Sequence, residues 1–361
     1  MSIERLTGLI ERIEYLVNPI TLISPLNKRD VKLSFVECGD IPAFEYAQRP
    51  DRSDAHRLLE EARMLVQGLS DLLRSVIEPM LTALELKIEL SDAIGTPRLK
   101  DISLALYGGL ESDTVKSAHR ILKSPDPSRR PDSLVDASVV ESQLREALTS
   151  YGLDDWSVSL DDREITAVVH SERMIRIPRH KRFAPDHAHR LIAHEVGVHV
   201  LRAENGRVQP FSLLGVGLAG YYETEEGIAV YTEVSLGTIS EFTLRQYALR
   251  VIAVENVLRG LSMADSCRRL RDEFGLTDSQ SFDISFRAYR GGGLIKDHVY
   301  LQGFYTVREY LRSHDLSELY VGKIGVEHRK QVAALRDQGW ILDPKRLPDP
   351  MPDHNGFVES L

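Results

Sequence analysis

Two histidines five residues apart, with a glutamate directly after the first, constrain this chain more than any other feature. The segment is LIAHEVGVHVLR at residues 191–202, and it carries His194, Glu195 and His199. Two imidazoles and a carboxylate are the donor set of a hydrolytic zinc centre, with the rings as ligands and the acid as base for water. The familiar zinc-peptidase spacing is HExxH, which stacks both rings on one helix face. At about 100° per residue, positions five apart on a regular α-helix lie about 140° apart, too far round to share an ion. The rings can meet only if the helix widens into a π-type turn, which aligns residues i and i+5. Gly197 lies between them, where widening meets least resistance. Without that distortion they are ordinary histidines on an ordinary helix.

Catalytic zinc normally takes three protein ligands and keeps one position for water, so a third donor is needed. The segment 223–229, ETEEGIA, supplies Glu223, Glu225 and Glu226 at the start of a helix. Glu225 and Glu226 point about 100° apart on any helix, so only one of them faces the metal. Glu233 falls two turns after Glu226 on the same face, placed either to back a histidine N–H or to meet solvent. His187 lies about 10 Å before His194 along a helix, out of reach of a common ion. It reads with His189 as a surface residue near the helix start. Cys38 and Cys267 are the sole cysteines, so neither a disulfide scaffold nor a thiolate zinc site can be built.

Composition narrows the class. With 361 residues, 42% of them hydrophobic, the chain can bury a sizeable core and has room for two domains. Its net charge of −9 argues against nucleic acid or an anionic membrane as main partner. The longest apolar stretch, residues 211–222, is interrupted by Gly215, Gly217 and Gly220 and is too short to span a bilayer. The N-terminus carries acids and no continuous apolar run, unlike a signal peptide. A soluble cytoplasmic protein is expected.

Along the chain, apolar residues from Ala55 to Ile77 recur every three or four positions, predicting one long helix capped by Ser53 and ended or kinked near Pro79. Helical pattern continues through 81–90 and 115–122. Residues 124–133, with Pro125, Pro127 and Pro131, are the best linker in the chain. Then follow a helix at 137–149, strands at 156–160, 165–169 and 174–177, and the histidine helix from Pro185 to residue 203. Helices at 224–235, 240–259, 263–273 and 297–312 complete the reading, with a glycine turn at Gly291–Gly293. That turn is no phosphate loop, because no Lys-Ser/Thr follows it. The expected organisation is a helical N-terminal region over 1–123, a linker over 124–136 and a catalytic domain over 137–361.

HEVGVH followed by TEEGIA, and by GLIKDHVYLQG at 293–303, resembles three motifs that occur in this order in the microtubule-associated tyrosine carboxypeptidase family. Its bacterial members are described as QEGLA-motif proteins, some linked to flavohaemoglobin expression. The resemblance runs from about residue 50 to the C-terminal region. Val198, Ile228 and Glu225 replace Thr, Leu and Gln of the usual motifs, and none of these changes removes a donor. The resemblance implies that His194, His199 and Glu226 bind one Zn2+ and that Glu195 is the general base. It implies a carboxypeptidase that removes a C-terminal residue, an aromatic one being the family's preference, from peptides or proteins. Without the long N-terminal extension of the animal enzymes, tubulin-like tails are not the expected substrate.

Beside those ligands, Tyr300 and Lys296 are candidates to stabilise the oxyanion, against the alternative of a packed ring and a solvated lysine. Arg287 and Arg290 are candidates for the substrate's terminal carboxylate, against the alternative of ion pairs with nearby acids. They are expected on one cleft wall, facing Glu226 and His199, around a glycine turn that approaches the ligand. The expected fold is α+β and zincin-like, with a small sheet packed on the histidine helix and an edge strand able to pair with a peptide. The competing function is a metal-binding regulatory protein that keeps the fold without peptidase activity.

Overall fold

The computed structural model describes residues 3–17, 23–124, 133–162 and 166–353. The chain is mostly helical with a small sheet, an α+β arrangement. The linker candidate falls largely on 125–132, and residue 165 of the expected second strand is also outside the described residues.

In the N-terminal region the long helix is two. Ser53–Val66 ends before Gly68, and Asp71–Asp92 begins after Ser70, whose hydroxyl accepts from the Leu73 amide. Ser53 is not the cap of the first; it is helical, and Asp51 accepts hydrogen bonds from its amide and hydroxyl. Pro79 neither ends nor starts anything, because it lies inside Asp71–Asp92 on the solvent side. An interior proline costs about 3 kcal/mol, and the burial of Val76, Ile77, Met80, Leu81 and Leu84 around it offsets that. Ile3–Val17 and both of these helices share one core with Phe211, Leu213, Leu214 and Tyr231.

Beside a two-stranded ribbon of Val135–Asp136 and Arg182–Phe183, the main sheet has three strands in the order Ser157–Asp161, Met174–Pro178, Ala167–Val169. The first pair is parallel, Val158 opposite Ile175, and the second antiparallel, Val168 opposite Ile175. Pro178 sits within its strand as the last residue. Val158, Ile175 and Ile177 point into the core beneath Ala137–Ser150. Ala167–Val169 is an edge strand and packs against the segment that bears the two histidines.

Three further helices organise the other side. Tyr222–Ser235 and Val299–Tyr310 lie tightly together, and Glu241–Leu258 packs beside them. A helix at Asp278–Tyr289, with a capping box of Thr277 and Gln280, and another at Arg329–Asp337 were not anticipated. No helix among the described residues is long and apolar enough to cross a membrane.

Candidate metal centre

Residues 187–207 form one unbroken helical run, α-helical at His187–Leu191, π-helical at Ile192–Val200 and α-helical again at Leu201–Arg207. The widening that the spacing requires is present, and it spans both histidines. Gly197 is not there for want of room, since a Cβ would meet the Ile192 carbonyl at an ordinary 3.5 Å. Its carbonyl accepts from the buried Tyr320 hydroxyl at 3.0 Å, one outside bond on a segment whose α-ladder is broken.

The π-turn brings the two rings edge to face, with centroids 5.0 Å apart. Donor atoms of His194, Glu195 and His199 lie within 4.8 Å of one another. A second acid closes the figure from the helix Tyr222–Ser235. Glu226 Oε2 lies 3.6 Å from His194 Nε2 and 3.7 Å from His199 Nε2. Ligands about 2.0–2.2 Å from a tetrahedral ion are about 3.3–3.6 Å apart, so these edges suit one small cation. Glu226 Oε2 is buried and has no hydrogen-bond partner. An orphaned carboxylate oxygen between two imidazole nitrogens is what a metal site leaves when its donors already converge. Glu195 and Glu226 thus both flank the pair, and one oxygen of Glu226 addresses both rings.

The rings are held from behind by a repeated device. His194 Nδ1 donates to Glu233 Oε1 at 2.7 Å, and His199 Nδ1 donates to Glu225 Oε1 at 2.9 Å. An ionised carboxylate only accepts, so each Nδ1 carries the proton and each Nε2 points its lone pair at the centre. The acids are anchored in turn. Arg190 pairs with Glu233 at 2.8 Å, with the Tyr247 hydroxyl 3.4 Å from the same carboxylate, and Arg202 pairs with Glu225. Arg202 also donates to the Leu319 and Ile324 carbonyls, and it is fully buried.

Burial by itself would depress His194, but the carboxylate of Glu226 3.6 Å away and the bond and charge of Glu233 prevail and raise it to about 10. Burial by itself would raise Glu226, but the nearby His194 ring and the charges of His199 and Lys296 lower it to about 2. Each charge favours the other.

The helix Tyr222–Ser235 meets Val299–Tyr310 through two motif glycines. A Cβ on Gly227 would lie 2.3 Å from the Gly303 carbonyl, and one on Gly303 would lie 2.0 Å from the Glu223 carbonyl. The glycines of EGIA and LQG are therefore a packing pair that seats the Glu226 helix. Tyr300, on the second helix, stacks on Tyr247 at 5.1 Å and lies in the field of Glu226. Lys296 also acts on Glu226, its ammonium 5.5 Å from the Tyr222 ring and 5.7 Å from that of Tyr107.

The sequence profile of the microtubule-associated tyrosine carboxypeptidase family matches residues 35–361. The chain belongs to that family. Among curated proteins none matches it. The family is named for carboxypeptidases, which are hydrolases, and the match covers all of the centre described above as well as the helices from residue 53 that share its core.

Not every candidate lands where the motifs pointed. Both prongs of Arg287 are engaged by Asp297, so its fork is already filled. Arg290 is not paired in this way. The glycine turn approaches protein and not a ligand: Gly292, at φ 109°, lies against the Thr96 carbonyl, and Gly95 donates to the Gly291 carbonyl at 2.7 Å. His187 stacks on Phe183 at 4.8 Å and is half-buried, whereas His189 is exposed. Arg190, Arg202, Tyr247 and Arg250 were not anticipated. A basic residue one turn before His194 and another one turn after His199 were the available signal for the first two.

Proposed function

We propose that the chain is a zinc-dependent carboxypeptidase of zincin-like architecture, with His194, His199 and Glu226 as ligands and Glu195 as general base. The observation that carries this reading is the partnerless Glu226 oxygen, equally distant from two oriented imidazole nitrogens. Bound there, Zn2+ would lower the pKa of water and polarise the scissile carbonyl.

The remaining work falls to the chain. Glu195, half-exposed beside both rings, takes a proton from the attacking water and hands it to the leaving amine. Tyr300 and Lys296 offer donors on the Glu226 side, where charge develops on the carbonyl oxygen. The Ala167–Val169 edge, lying on the histidine segment, offers its backbone to an extended peptide. The substrate is the C-terminal tail of a peptide or protein, with an aromatic last residue as the family name suggests.

The test is direct. Purified protein should contain one zinc per chain and shorten a free-acid peptide ending in tyrosine by one residue, read by mass spectrometry. Stoichiometric zinc with only internal cleavage would keep the hydrolase and reject the exopeptidase; absence of zinc would reject both.

A further inference from the structure

Two arginines beside the centre end without a protein acceptor. Arg250 comes from the helix Glu241–Leu258, and Arg290 follows the helix Asp278–Tyr289. The Nε atom of each is buried and unbonded, and among the described residues neither guanidinium has a hydrogen-bond or ion-pair partner. Arg287 has Asp297 to itself. Asp297 is thus one carboxylate in the field of three guanidinium groups, and its two prongs are spent on one of them.

These cations are held at a cost. Burial pushes both Arg250 and Arg290 below the usual guanidinium value; Arg287 nearby pushes the same way, and Asp297 opposes them only in part. A fold maintains such a cluster only with something to balance it. Both groups are placed firmly. Arg250 lies 5.2 Å over the Tyr247 ring and 5.4 Å over the Tyr300 ring. The turn after Arg290 is pinned, since Gly291 donates to the Tyr46 hydroxyl at 2.7 Å. The cluster borders the centre through Tyr300, which feels Arg250, Arg287 and Glu226 together.

We propose that Arg250 and Arg290 form a carboxylate subsite that grips the last residue of the substrate and keeps its grip on the released amino acid, so that product competes with substrate. The fork of a guanidinium matches a carboxylate, and two forks from separate elements fix the position of the chain end. An amide at the same place leaves both cations unmatched. This rests on the carboxypeptidase reading, and it moves the recognition of the chain end from Arg287 to Arg250, a residue outside all three motifs.

Calorimetry on the full chain, with zinc present and with zinc removed, tests it using N-acetyl-L-phenylalanine and its amide. The acid should bind at least about tenfold more tightly than the amide in both states. Arg250→Met and Arg290→Met should each weaken the acid about ten- to a hundredfold and leave the amide unchanged. Arg250→Lys, which keeps charge over the tyrosine rings, should recover part of the loss and guards against a folding defect in the Met variant. Equal binding of acid and amide by the unmodified protein overturns the subsite without any variant. Inorganic phosphate binding more tightly than the acid would overturn it too, by assigning the arginines to a free oxyanion. If the acid binds as described and the zinc-loaded protein cleaves no peptide, the subsite stands and only the hydrolytic reading falls.

Discussion

Gly227 lies against the backbone of Gly303, so closely that a single methyl group on it would stand 2.3 Å from the Gly303 carbonyl. The contact sits one residue after Glu226 and three residues after Tyr300, and it sets how near the two helices come. Gly227→Ala should therefore separate them, destabilising the protein by about 1–3 kcal/mol and loosening the metal triangle. Thermal unfolding and a competitive zinc titration, run on the same variant, check both effects. Unchanged zinc affinity would show that the close approach does not matter to the centre.

Glu195→Gln should retain zinc with near-normal affinity and lose hydrolysis, because in the proposed centre Glu226, whose one oxygen addresses both rings, is the third ligand. Elemental analysis beside a peptide assay checks it. Turnover retained within a few-fold would remove Glu195 from the role of base.

The acids behind the rings act through the imidazoles. Glu225→Gln and Glu233→Gln each replace a charged, acceptor-only carboxylate with a neutral amide that can also donate, and each should weaken zinc about 10–100-fold. Buried Arg202 loses a carboxylate partner in the first variant and Arg190 in the second. A fall in melting temperature is expected for both, larger for Glu225→Gln, since Arg202 is fully buried. Zinc affinities equal to the parent's would contradict the orienting role.

Proton linkage separates the metal-free from the loaded protein. In the metal-free state His194 is raised from 6.5 to about 10, so its stabilisation is complete below pH 6.5 and is lost as pH climbs toward 10. Glu226 is lowered from 4.5 to about 2, so its stabilisation is present above pH 4.5 and is lost as pH falls toward 2. The stripped protein should melt highest between these limits and lower on either side. Zinc must displace the His194 proton, so apparent zinc affinity should rise with pH across the same alkaline range. Melting scans at several pH values, with and without chelator, test the pair of slopes; a stripped protein as stable at pH 9 as at pH 6 would contradict it.

Tyr300→Phe should keep zinc and lower kcat by about 10²–10³ if its hydroxyl meets the developing oxyanion. Its ring is already supported by Tyr247 and Arg250, so little stability should be lost. A kcat within twofold of the parent would leave Tyr300 a packing residue.

The convergence of the side chains at the centre was legible because the spacing of the two histidines restricts the helix that can bring them together. Histidines five apart demanded a π-turn, and the turn spans them both. The glutamate that faces the rings is the one before the motif glycine, while its neighbour Glu225 turns away to His199 Nδ1. What pattern could not give was pairing between distant segments. Arg287 meets Asp297 across a turn, and no periodicity announces that a fork is filled. Arg250 sits on a helix with buried residues all round, where apolar spacing carries no directional signal. Pro79 misled for a local reason: its ring faces solvent within a helix that long-range packing stabilises. The break came at Gly68-Leu69-Ser70, where a cap was available.

A π-turn is an α-turn with one residue inserted, and the nine residues Ile192–Val200 keep that insertion between the two histidines. Excising one residue there, at Gly197 for instance, would leave the histidines four apart, the distance at which an ordinary α-helix stacks them. The two spellings of the metal signature are separated by a single codon, yet they place the same donors around the same point. A comparison that aligns columns of letters scores them as different words. One that aligns the vertices of the donor triangle would count them as the same site.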